Sequence, residues 1–160
     1  MSRIGSLILL LSLSGLLGCG YSFVLGNTTG ANHVCLMPTR NETKLIGASM
    51  TMDASLENAL ASMGMLSTQS TAEDIPSIRC IIQSVTTQGI TSSSKSASDR
   101  YRLVVQVRAE LINKDGDVIW KSTFKGDGTY MAVGQEEDAI EAACKEISQD
   151  ISRTIACLTF

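Results

Sequence analysis

The chain is 160 residues long, 44% hydrophobic and 18% charged, with a formal net charge of −3. That length suits one folded core and is too short for two comfortable domains, and without a basic excess nucleic acid is not an expected partner. A single histidine in the whole chain gives no basis for a Ser/His/Asp or Cys/His catalytic arrangement.

The first element is a leader. Arg3 is the only charge before Cys19, and "ILLLSL" at Ile8 to Leu13, with Leu16 and Leu17, forms an apolar core. It falls short of the about 20 apolar residues that a membrane-spanning helix needs, so it reads as an export signal. Leu16-Leu17-Gly18-Cys19 has the form of the bacterial lipobox, in which the cysteine thiol is diacylated, the preceding bond is cut and the new amino group is acylated. Residues 1–18 are therefore expected to be a lipoprotein signal peptide and Cys19 the lipid attachment point. Residues 19–32, with "GNTTGAN", are expected to form the anchor and linker. Each buried methylene of an acyl chain contributes about 0.8 kcal/mol, so more than one chain holds a protein stably on a membrane. Gly20, where an aspartate would retain the protein elsewhere, fits sorting to the outer membrane.

Residues 33–160 are expected to form a single domain. "HVCLMP", His33 to Pro38, reads as a short strand closed by a proline. Met52, Leu56, Ala59, Leu60 and Met63 recur at helical spacing, and Gly64 supplies the stop. Ile78, Cys80 and Ile82 alternate with Arg79 and Gln83 as a half-buried strand does, and a Ser-rich loop is expected over "TTQGITSSSKSASD". The strongest pattern is "YRLVVQVRAELIN". Its period of two sends Tyr101, Leu103, Val105, Val107, Ala109 and Leu111 to one side, and Arg102, Val104, Gln106, Arg108, Glu110 and Ile112 to the other. A hairpin at Asp115-Gly116 returns the chain, with Val118, Trp120 and Phe124 joining the apolar face and Trp120 buried under a helix. A last helix begins near Gln135. Glu136, Glu137 and Asp138 sit at its positive end, and Ile140, Ala143, Cys144, Ile147, Ile151, Ile155 and Leu158 form its stripe.

The order β-α-β-β-β-α predicts an α+β two-layer sandwich, with two helices packed on one face of a four-stranded mixed sheet. The opposite face has no helix left to cover it. Charge is uneven: between Lys95 and Lys125 seven lysines and arginines stand against four acids, a local +3 in an otherwise acidic chain.

Cys35, Cys80, Cys144 and Cys157 lack metal-ligand spacing, so no metal or other cofactor is expected. On one helix Cys144 and Cys157 lie about 20 Å apart and cannot pair. A Cys35–Cys80 bridge requires neighbouring strands, and the alternative is that most of these thiols are small buried apolar groups. "GDG", Gly126 to Gly128, lacks the Lys-Ser/Thr and the strand-to-helix setting of a phosphate loop. The acids at the last helix start are explained by the dipole, so the chain is not expected to be an enzyme.

Several pieces, in order and spacing, resemble one family. "CGYSF" at the anchor, "PTRNET" after the first strand, "LENAL" in the first helix, "DRYRLVVQVRAEL", "DGDVIW" and the "TY" before the last helix are together similar to LptE, the lipopolysaccharide-assembly lipoproteins. The resemblance implies an outer-membrane, periplasm-facing lipoprotein that plugs and helps assemble a large β-barrel, LptD, and assists lipopolysaccharide delivery to the outer leaflet. It also places ligand contacts near the loop after the second strand, which here holds Lys95 and Arg100. The face argument adds Arg102 and Lys121 as phosphate contacts, with Arg108 and Lys125 on the same face. A different class stays open: a periplasmic lipoprotein that regulates a cell-wall synthase or forms part of a secretion pore.

Overall fold

The computed structural model describes residues 33–67, 75–90, 100–131 and 135–158. The expected leader, Cys19, the linker and Lys95 lie outside the described residues. The elements run β1 (Cys35–Leu36), β2 (Arg40–Asn41), α1 (Ala48–Ser62), β3 (Ser77–Ile90), β4 (Arg100–Ile112), β5 (Val118–Tyr130) and α2 (Glu136–Ala156). The sheet order is β1-β3-β4-β5, with β2 also on β3. Both short strands run parallel to β3, as a crossover through α1 requires, and β3, β4 and β5 form an antiparallel meander.

The expected first strand is one edge strand broken in two. Its register slips by one residue between Leu36↔Ile78 and Arg40↔Ile81, where Pro38 has no N–H to donate. The "PTRNET" segment then folds on itself. The Asn41 carboxamide oxygen accepts from the Thr43 amide and hydroxyl at 2.9 and 2.7 Å, while its amino group donates to the Leu45 carbonyl. The Thr39 amide donates to Asp53 on α1 at 2.9 Å, tying the edge to the helix layer.

Period two becomes two faces. Across β3, β4 and β5 the rows Ile78–Leu111–Trp120, Cys80–Ala109–Ser122 and Ile82–Val107–Phe124 face the helices. The register shift at Gln83 restores the alternation, so that Val85–Val105–Gly126 and Thr87–Leu103–Gly128 continue the same face. Thr86 to Ile90, expected as loop, are strand, because the first five residues of the long β4 supply their ladder. The β4–β5 loop holds left-handed geometry at Gly116 alone (φ 89°), so Asp115 does not share it and the connection is wider than a two-residue hairpin.

A second shift, at Ile119, corrects the expectation for Val118. One extra residue turns Val118 to the outer side opposite Ile112, where it is 46% exposed. Trp120 does face inward and packs on the core, tilted against Phe124 at a centroid distance of 6.2 Å, but it is half-buried and not enclosed.

Helix α1 buries Ala48, Met52, Leu56 and Leu60; it starts one turn before Met52, and Met63 beyond its end is 43% exposed, not part of the buried stripe. Its end is a Schellman motif: Gly64 is left-handed (φ 68°), its amide donates to Ala61, and the Met65 amide donates to Leu60. Helix α2 carries Glu136, Glu137 and Asp138 in its first turn and buries Ile140, Ala143, Cys144, Ile147, Ile151 and Ile155 as expected, whereas Leu158 lies past its end and is only half-buried.

Cys80 and Cys144 point into this core as free thiols. Burial pushes the Cys80 thiol up to about 12, with nearby Asp53 and Cys144 adding to it, and burial pushes Cys144 up to about 11. Both therefore stay neutral. Their contribution to stability is complete below the ordinary thiol value of 9.0 and is lost as pH rises through those raised values. Cys35 stands opposite Ser77, on the other side of the sheet from Cys80, so the two strands are neighbours and the two cysteines cannot bridge.

Candidate binding face

The sheet face turned away from the helices is the feature the fold leaves unexplained. Its rows are Arg79–Glu110–Lys121, Ile81–Arg108–Thr123, Ser84–Gln106–Lys125, Thr86–Val104–Asp127 and Gln88–Arg102–Thr129. An antiparallel sheet can leave such a face in water, since polar residues occupy every second position. Here the polar residues are ordered by a network. Glu110 is 8% exposed even though no helix among the described residues covers it. Arg79 donates to its Oε2 from Nη2 at 2.7 Å and from Nε at 3.2 Å, while Arg108 Nε lies 3.1 Å from Oε1. One carboxylate thus neutralises two arginines. Beside them the Gln106 side chain donates to Gln83 at 3.2 Å, using the residue that the bulge displaces.

The expected phosphate contacts divide into two groups. Arg100 and Arg102 open β4 at the end of the sheet next to Ile90 and Gln88, whereas Lys121 pairs with Glu110 at the other end of that face. Eight residues of strand separate Arg102 from Glu110, about 27 Å at the usual rise. Lys121 therefore cannot share one small headgroup with the arginines. Arg102 forks onto Asp127, Nη2 to Oδ1 at 2.7 Å and Nε to Oδ2 at 3.0 Å. That hydrogen bond and charge hold the Asp127 carboxyl below its usual range and raise Arg102. Any stability the pair supplies is present above the ordinary carboxylate value and lost as pH falls through the lowered one. Arg100 has no ion-pair partner among the described residues and is exposed.

The chain enters the fold beside Ser77, through Cys35, and Arg100 pairs with Ile90 at the far end of the same strand. The thirteen intervening steps place the arginine end about 40 Å from the entry end. Sequence reading found Arg102 and Arg108 by their period of two. It did not find the Arg79–Glu110 pair, because cross-strand partners 31 residues apart leave no local signal.

Among the described residues no group of three or more metal-ligating side chains comes together, and no helix is long and apolar enough to cross a membrane. What the geometry defines is a small α+β sandwich that presents a stiff, charged sheet surface. The family model for lipopolysaccharide-assembly proteins, LptE, matches residues 31–155, and the chain belongs to that family. A search of curated proteins found no significant match. Among solved structures, a minor lipoprotein from Acinetobacter baumannii is 18% identical with a TM-score of 0.54, over 79% of this chain and 93% of that one. The PelC dodecamer subunit from Paraburkholderia phytofirmans is 14% identical with a TM-score of 0.53, over 81% and 90% of the two chains. A lipoprotein from Caulobacter crescentus is 18% identical with a TM-score of 0.50, over 76% and 87%. These likenesses establish the sandwich fold.

Proposed function

We propose that the chain is an outer-membrane lipoprotein, anchored through acylated Cys19. It seats its bare sheet face inside a large β-barrel of the LptD kind, helps that barrel assemble and assists lipopolysaccharide delivery. Family membership supports the pathway. The observation that carries the plug role is the ordered polar face around Glu110, since a wide barrel lumen is polar and a helix-backed sheet is a rigid insert for it. With the anchor at the entry end, Arg100 and Arg102 stand at the end far from the membrane attachment, and Lys95 lies between β3 and β4 in the sequence. In this reading Lys95, Arg100 and Arg102 meet lipid A phosphates and Lys121 makes a separate contact near the barrel wall.

The test is lipopolysaccharide binding by Arg100→Glu with Arg102→Gln. The double variant is expected to bind at least about tenfold more weakly, equal to about 1.4 kcal/mol. The residual binding is expected to be less sensitive to salt, because fewer charge-assisted contacts remain to be screened. Its melting curve should stay close to the parent's, since an exposed pair such as Arg102–Asp127 contributes about 0.2–1 kcal/mol. Unchanged affinity and salt dependence would remove these arginines from the ligand site.

A further inference from the structure

Strand β5 is the last in the sheet order, bonded to β4 on one side and, among the described residues, to no strand on the other. Half of that free edge is closed. The Asp127 amide donates to the Glu146 carboxylate of α2 at 3.0 Å, and α2 lies directly over Gly126 and Gly128. In an antiparallel ladder the outward and inward main-chain groups alternate, so the same parity turns the N–H and C=O of Lys121, Thr123 and Lys125 to the free flank. That half is open. Val118 and Ile119 are 46% and 47% exposed beside a cavity of about 330 Å³ lined by Glu110, Val118, Ile119, Trp120 and Lys121.

We propose that this open edge, Lys121 to Lys125, accepts an extended segment of a partner protein as an added antiparallel or parallel strand, with acidic residues alternating with apolar ones. The alternation follows from the two faces. A strand laid along β5 sets every second side chain beside Lys121, Thr123 and Lys125, and neither lysine has an ion-pair partner among the described residues. The intervening side chains lie over Trp120 and Phe124, which are half-buried and offer ring surface. A second copy of this chain is a poor occupant: two-fold pairing of β5 about Thr123 sets Lys121 of each copy opposite Lys125 of the other, and like charges directly opposite are destabilising.

Trp120 is the chain's one tryptophan, so its fluorescence reads this edge without a label. The full chain in detergent is titrated with a synthetic nonapeptide alternating glutamate with valine, and with a second alternating lysine with valine. The glutamate peptide is expected to give a saturable blue shift and the lysine peptide none. Lys121→Glu with Lys125→Glu should weaken the first at least about tenfold and admit the second. Thr123→Pro should abolish binding while the protein still melts cooperatively, because it deletes an N–H that serves only the free flank. Three outcomes overturn the proposal: equal response to both peptides, binding indifferent to Thr123→Pro, or a concentration-dependent dimer in sedimentation that Lys121→Glu disrupts.

Discussion

Replacing Gly128 by alanine is expected to cost at least about 3 kcal/mol of folding stability, at or beyond the upper end of ordinary overpacking. Gly126 and Gly128 occupy the inner face of β5 where α2 crosses it. A Cβ on Gly128 would overlap the Ala139 carbonyl oxygen and come within 2.6 Å of the Ala139 Cα. One on Gly126 would overlap the Ala143 carbonyl oxygen and reach 2.8 Å from Ile147 Cγ1. The Ile147 side chain can shift, but a helix backbone yields only by moving the whole helix. Because a small domain is stable by about 5–15 kcal/mol, the double alanine variant is expected to lose the cooperative transition or most of it. Gly89→Ala is the control: it lies in β3 with nothing within 4 Å of its added carbon and should melt within about 0.5 kcal/mol of the parent. Urea unfolding of the three proteins checks this. A Gly128→Ala protein as stable as Gly89→Ala would mean that α2 does not rest on the β5 backbone.

Replacing Cys19 by alanine is expected to change the location of the protein and leave its fold alone. If Leu16-Leu17-Gly18-Cys19 acts as the proposed lipobox, with its thiol acylated before the leader is cut, the variant accumulates as an uncut precursor carrying no lipid. Each lost chain removes about 0.8 kcal/mol per buried methylene, which takes membrane binding from stable to marginal or absent. Mass spectrometry of the purified protein and its partition into detergent report both changes. Every described helix and strand lies at Cys35 or later, so the melting temperature is expected to stay where it is. Normal processing with full membrane retention would contradict the anchor at Cys19.

What the sequence made legible follows from how local each signal is. The alternation in "YRLVVQVRAEL" reports which side of a strand is buried, and the structure places Leu103, Val105, Val107, Ala109 and Leu111 under the helices. The α2 stripe and the Gly64 stop are likewise properties of one segment. Bulges are not. Ile119 and Gln83 add one residue each to their strands, and only the partner's register reveals it, so Val118 changed sides. The Gly126-Asp127-Gly128 run was legible as unfit for phosphate but not as the seat of α2, which depends on a helix arriving from later in the chain. For the same reason the charged face was visible as residue types while its centre, Glu110 between Arg79 and Arg108, was not.

The central claim, that the bare sheet face docks in a barrel, is tested most directly by purifying the tagged full chain from native membranes and identifying what remains bound. Glu110→Lys provides the comparison, since it replaces the one carboxylate that neutralises Arg79 and Arg108. A large outer-membrane β-barrel protein that co-elutes with the parent chain, and is lost with a Glu110→Lys variant that still melts cooperatively, is the predicted result. A synthase, or a ring of this chain alone with no barrel, would contradict it.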